Sequence, residues 1–111
     1  MADFNQVIII GRIASELNLH YAPTGTPICN FNLATGKDED VVFIECSAFN
    51  KTAELLCQYS GKGQSLCVVG RLKQDKWEKE GHKFIKIKVL VDKIQFLSYM
   101  SDKNKPENED F

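Results

Sequence analysis

From Val7 to Ile13 the chain is apolar and β-branched almost throughout, with Gly11 inside the run. Such residues suit a pleated strand. Because the run lacks polar alternation, both faces of that strand are expected to be covered. One face can line a core. The other needs a second apolar surface, and another copy of the same chain is the simplest candidate. The full length of 111 residues fits one domain and leaves no room for two independent cores.

The rest reads mostly as strands. Leu17 to Ala22 is a continuation of the first strand or a second short one. Pro23-Thr24-Gly25-Thr26-Pro27 is turn chemistry that reverses the chain. Ile28 to Thr35 follows as a strand with Ile28, Phe31 and Leu33 apolar, and Gly36 to Asp40 as a short acidic loop. Val41 to Phe49 alternates cleanly. Val42, Ile44, Cys46 and Ala48 share the core face, which leaves Phe43, Glu45, Ser47 and Phe49 on the opposite one. Asn50 is expected to N-cap one helix, Lys51 to Tyr59, with Leu55, Leu56 and Tyr59 at helical spacing and Gly61 and Gly63 ending it. Ser65 to Trp77 is another strand, Glu80-Gly81-His82 a hairpin turn, and Phe84 to Val91 the returning strand. There Ile85, Ile87, Val89 and Val91 take one face and Phe84, Lys86 and Lys88 the other. Ile94 to Leu97 closes the domain. About five strands with a helix between the third and fourth suit a mainly β, five-stranded Greek-key barrel of the OB type, plugged at one end by the helix. The barrel is assigned to residues 1–100, and 101–111 to a short acidic, disordered tail.

The net charge of −1 announces no partner, but its distribution is uneven. Arg71 to Lys93 carries eight basic residues against four acids, while the last eleven residues carry four acids against Lys103 and Lys105. Cys29, Cys46, Cys57 and Cys67 lack the close spacing of a zinc knuckle. They lie among apolar neighbours and read as inert core thiols in a reducing compartment. The N-terminus has no signal-peptide pattern. The longest apolar run, Val7 to Ile10, is far short of a membrane span. A cytoplasmic protein is expected, without membrane partner, metal or cofactor.

His20 and His82 have no nucleophile or ligand partner at a telling spacing, and Gly61-Lys62-Gly63 is too short for a phosphate-cradling loop. Catalysis is not expected. What accumulates is aromatic and basic side chains on outward positions: Phe43 and Phe49 on one strand, Arg71, Lys73 and Trp77 on a second, Phe84, Lys86 and Lys88 on a third. Unpaired bases offer π-faces for stacking and their phosphates need Lys or Arg, whereas a duplex hides the base faces. Blander readings stand beside this one. Trp77 packs on a hairpin neighbour, Phe43 and Phe49 fill a subunit interface, and Lys86 and Lys88 form a solvated face.

In order and spacing, several stretches resemble the bacterial single-stranded DNA-binding proteins over residues 5 to 97 or so. They are Asn5 to Ile13, Tyr21 to Pro27, Phe31 to Thr35, Phe43-Ile44, Ala48 to Glu54, Tyr59 with Lys62-Gly63, Gly70-Arg71-Leu72, Trp77 and Gln95-Phe96-Leu97. The resemblance implies an OB-fold that pairs through its first strand into a homotetramer, a dimer being the alternative. It also implies nucleoid-associated binding of DNA without sequence preference. By position, Phe43, Phe49 and Trp77 become stacking residues and Lys51, Lys62, Arg71 and Lys73 phosphate contacts. Arg12, inside the first matching stretch, and Phe84, Lys86 and Lys88 complete the candidate set. The sequence departs from the family in its short acidic Gly36 to Asp40 loop, which lacks a stacking aromatic, in Gln6 where lysine is common, and in a shortened C-terminal region. Glu109, Asp110 and Phe111 resemble an abbreviated form of the acidic, Phe-ending tip that recruits replication and repair proteins; the alternative is a solubilising tail.

The expected function is therefore protection of single strands in replication, repair and recombination, without chemistry. The alternatives are an OB-type protein-interaction module with weak nucleic-acid binding, which the salt dependence of affinity separates, and an RNA-binding barrel, which DNA–RNA competition separates. A nuclease is least expected, since no carboxylates cluster with a basic partner.

Overall fold

A computed structural model describes residues 3–97. Six strands and one helix follow the order β1 (Val7–Ile13), β2 (Asn18–Tyr21), β3 (Pro27–Thr35), β4 (Val42–Phe49), α1 (Asn50–Tyr59), β5 (Ser65–Lys79) and β6 (His82–Phe96). The sheet runs β1-β5-β6-β4-β3-β2, and a further β1–β3 pairing closes it into a five-stranded ring. β2 continues the path of β1 around the corner and hairpins with β3. This is the OB-type barrel that the strand order suggests, with its helix between β4 and β5.

Alternation places the core. Leu66 and Val68 of β5, Val89 and Val91 of β6, Cys46 and Ala48 of β4, and Cys29, Phe31 and Leu33 of β3 are all buried. Ile13 ends β1 inside the same cluster, and α1 covers it with Ala53 and Leu56, one helical turn apart. Cys29 and Cys46 behave as small core hydrophobes. Burial pushes both thiols up to about 12, with Cys57 adding to the shift at Cys29 and Glu45 at Cys46, so both stay protonated at neutral pH. The Cys57 and Cys29 sulfurs lie 3.6 Å apart.

The structure corrects three local expectations. Asn50 does not cap α1: the N-cap is Phe49, without a side-chain cap bond. Asn50 instead turns the corner from β4 with φ of 56°, a left-handed conformation that asparagine tolerates better than most residues. Tyr59, at helical spacing, remains 55% exposed. The hairpin turn is the two-residue Glu80-Gly81, with φ of 52° and 80°, the type I′ pattern that matches strand twist. His82 already belongs to β6.

β5 and β6 stay paired from Leu66↔Phe96 to Lys79↔His82, well past the end of the barrel. On this projecting arm Ile85 and Ile87 keep the parity of Val89 and Val91 but have no core beneath them, and are 63% and 59% exposed. A bulge at Val69/Gly70 precedes the arm, with Asp92 as the unpaired extra residue. Asn5 clasps the base of the arm. Its side-chain amide donates to the Leu72 carbonyl and accepts from the Leu72 N–H, both at 3.0 Å, extending the β1–β5 ladder by one step without a strand.

Ring closure requires close approach at Gly11, where a Cβ would fall 2.4 Å from the Ala34 carbonyl oxygen. Gly11→Ala should cost about 1–3 kcal/mol in urea denaturation. Gly61→Ala, where a Cβ would meet nothing within 4 Å, should change stability by less than ~0.5 kcal/mol.

Candidate nucleic-acid interface

Residues paired across an antiparallel ladder share a face, so register reads out the outer surface directly. Across β3 and β4 the outer rows are Ala34–Phe43, Asn32–Glu45, Asn30–Ser47 and Ile28–Phe49. Arg12 of β1 extends the first row through its pairing with Ala34. Across the arm the outer rows are Arg71–Leu90, Lys73–Lys88, Asp75–Lys86 and Trp77–Phe84. The parallel pairing of Ser47 with Leu90 joins the two sets edge to edge. The sheet thus brings Arg12, Phe43, Phe49, Arg71, Lys73, Trp77, Phe84, Lys86 and Lys88 onto one continuous outer face. Lys51 stands exposed on the first turn of α1, just after Phe49, and Lys62 in the loop after α1. Gly63 donates its N–H to the Ile13 carbonyl, which holds that loop at the Arg12 end of β1. Glu109, Asp110 and Phe111 lie outside the described residues.

The aromatics differ in availability. Phe43 is 68% exposed and Phe49 half-buried. Six residues of strand separate them, roughly 20 Å, too far to serve one nucleotide. Trp77 and Phe84 are a cross-strand stacked pair, ring centroids 5.5 Å apart and planes 20° from parallel. The packed-neighbour reading of Trp77 therefore describes one face of the indole. With Trp77 still 47% exposed, the pair presents a platform at the arm tip, bordered by Lys76, Glu78 and Lys83.

Three of the basic residues do not stand alone. Arg71 Nη1 lies 2.7 Å from Asp92 Oδ1, Lys88 Nζ lies 3.1 Å from Asp75 Oδ2, and Lys86 Nζ pairs with Glu45 Oε1. Among the described residues Arg12, Lys51, Lys62 and Lys73 form no ion pair. Sequence reasoning missed these pairs because they join residues on different strands, and in the case of Glu45 on strands that alternation alone does not make neighbours. It also missed the polar centre of the face. Ser47 is fully buried and its hydroxyl donates to Asn30 Oδ1 at 2.6 Å; Asn30, Asn32 and Glu45 line a surface recess bordered by Ser15 and Glu16. The alternating Asn30 and Asn32 opposite the Phe43–Phe49 strand were the signal available.

Among the described residues no group of three or more His, Cys, Asp or Glu side chains is placed to hold a metal ion, and no helix is long and apolar enough to cross a membrane. The face presents separated aromatic platforms, amide and hydroxyl groups between them, and a border of cations. Such groups are chemically able to stack flat rings and to neutralise anions.

The chain is 35% identical over 103 residues to the "Single-stranded DNA-binding protein" of Aquifex aeolicus (strain VF5), covering 85% of this chain and 70% of that one. It is 34% identical over 109 residues to the Helicobacter pylori protein of the same name, covering 89% and 61%. With the Treponema pallidum protein the identity is 32% over 105 residues, covering 87% and 60%. The chain thus spans about 60% to 70% of the length of these relatives. Residues 4–97, nearly the whole described barrel and arm, match the family described as "Single-strand binding protein family", and the chain belongs to that family.

Proposed function

We propose that this protein binds single-stranded DNA without sequence preference, stacking bases on Phe43, Phe49 and the Trp77–Phe84 platform. The observation that carries this reading is the register that sets these aromatics and the basic residues on one outer face across β1, β3, β4, β5 and β6. The relatives' names agree with it. The role is protection of unpaired strands in replication, repair and recombination, in the cytoplasm, with the last residues, Glu109, Asp110 and Phe111, meeting partner proteins. Lys51 and Lys62 extend the phosphate path beyond the face.

The same proposal includes self-association through β1. Ile8 and Ile10 are 64% and 62% exposed, above Val69 and Cys67 of β5. β1 pairs with β3 only at Arg12 and Ile13, so the edge of Val7 to Gly11 is open apart from the Thr35 hydroxyl on the Ile10 carbonyl. An open edge beside an apolar row suits pairing with a second copy. Assembly of two such dimers into a tetramer is part of the same proposal.

Titration with oligo(dT) should quench Trp77 fluorescence, and affinity should fall as salt rises. Trp77→Ala should weaken binding by ~1–3 kcal/mol, and Phe43→Ala by a similar amount. No response to oligo(dT) at low salt would favour the protein-interaction alternative. For assembly, Ile8→Glu with Ile10→Glu should shift the mass in sedimentation equilibrium from oligomer to monomer. An unchanged mass would place the interface elsewhere.

A further inference from the structure

Two carboxylates sit where a phosphate path would run. Glu45 occupies the outer row of β4 between Phe43 and Ser47. Asp75 occupies the outer row of the arm, opposite Lys86 and two residues from Trp77. Each is engaged by a lysine of β6: Glu45 by Lys86, and Asp75 by Lys88 at 3.1 Å. The Glu45–Lys86 pair spans the opening where β4 and β6 part, since their ladder covers only Cys46↔Val89 and Ser47↔Leu90.

We propose that Glu45 and Asp75 are affinity-setting residues that occupy Lys86 and Lys88 in place of phosphate and are displaced when a strand binds. The proposal rests on the single-strand reading above. Its physics is an exchange of anions. A free lysine that meets a phosphate releases a cation condensed on the DNA, and that release drives binding. A paired lysine must first let go of its carboxylate, and the freed carboxylate gathers a cation from solution that offsets the one released. It also remains beside the phosphate as a like charge. The side chains of Glu45, Lys86 and Asp75 are 31%, 51% and 38% exposed and that of Lys88 17%; the wetter Glu45–Lys86 pair is weak enough to exchange readily, and the more covered Lys88–Asp75 pair exchanges less freely. Binding is therefore attenuated rather than blocked, and affinity depends less steeply on salt than the count of basic residues on the face implies. This is in keeping with a face rich in lysine on a chain of net charge −1.

The test is a set of oligo(dT) titrations across a salt series on the full chain, comparing wild type with Glu45→Gln, Asp75→Asn, Lys86→Gln and the double variant Glu45→Gln/Lys86→Gln. Glu45→Gln and Asp75→Asn should each tighten low-salt binding about two- to fivefold, and each should steepen the slope of log affinity against log salt by about 0.7. The gain from Glu45→Gln should vanish when Lys86 is already glutamine. Unchanged or weaker binding by Glu45→Gln, or the same gain with and without Lys86, overturns the proposal. While wild type still binds oligo(dT) and quenches, those results leave the single-strand reading standing. If wild type does not bind at all, the reading itself fails and the proposal falls with it.

Discussion

Beneath Val89 and Leu72 the interior of the barrel ends, while the ladder of β5 and β6 continues to Lys79 and His82. That excess of hairpin over core shapes the functional surface. It carries Trp77 and Phe84 clear of the barrel, lengthens the outer face, and leaves Ile85 and Ile87 exposed behind it. A projecting two-stranded arm is weakly stable by itself. Three features of this sequence support it: the Glu80-Gly81 turn that matches strand twist, the Trp77–Phe84 stack near its tip, and the Asn5 clasp at its base. The Glu45–Lys86 pair ties its flank to β4.

In the proposed function, stacking and charge divide the work on this face. Aromatic stacking is sequence-tolerant because every base has a π-face, and the spacing of the aromatics along β4 and the arm would separate the proposed points of contact by more than one nucleotide. The cations fall into two sets. Arg12, Lys51, Lys62 and Lys73 are without ion-pair partners among the described residues, whereas Arg71, Lys86 and Lys88 are held by Asp92, Glu45 and Asp75. A count of positive residues therefore overstates the field a strand would meet.

Much of this was legible because the fold is governed by a period of two. Alternation in Val41 to Phe49 and Phe84 to Val91 assigned Cys46, Ala48, Val89 and Val91 inward and Phe43, Phe84, Lys86 and Lys88 outward, and the structure agrees, whereas Val42, assigned inward, is 52% exposed at the strand's start and Ser47, assigned outward, is buried against Asn30. Parity says which way a side chain points, not whether anything lies beneath it, so the exposure of Ile85 and Ile87 could not be read. Nor could the bulge at Gly70 or the left-handed corner at Asn50, because each depends on how strands meet in space. The ion pairs were hidden for the same reason. Glu45 and Lys86 are far apart in sequence, and their encounter follows from the parallel β4–β6 contact, the least local pairing in the sheet. The family resemblance supplied the function, whereas the residues alone left an interaction module open.

The most direct test of the account is to irradiate the complex with oligo(dT) and map the cross-linked residues by mass spectrometry. Stacked aromatics cross-link to the bases they touch. Cross-links are expected at Trp77, Phe43 and Phe49, with β1 at Ile8 and Ile10 unmodified. Cross-links confined to β1, or to the inward-parity side of the arm at Ile85 and Ile87, would contradict it.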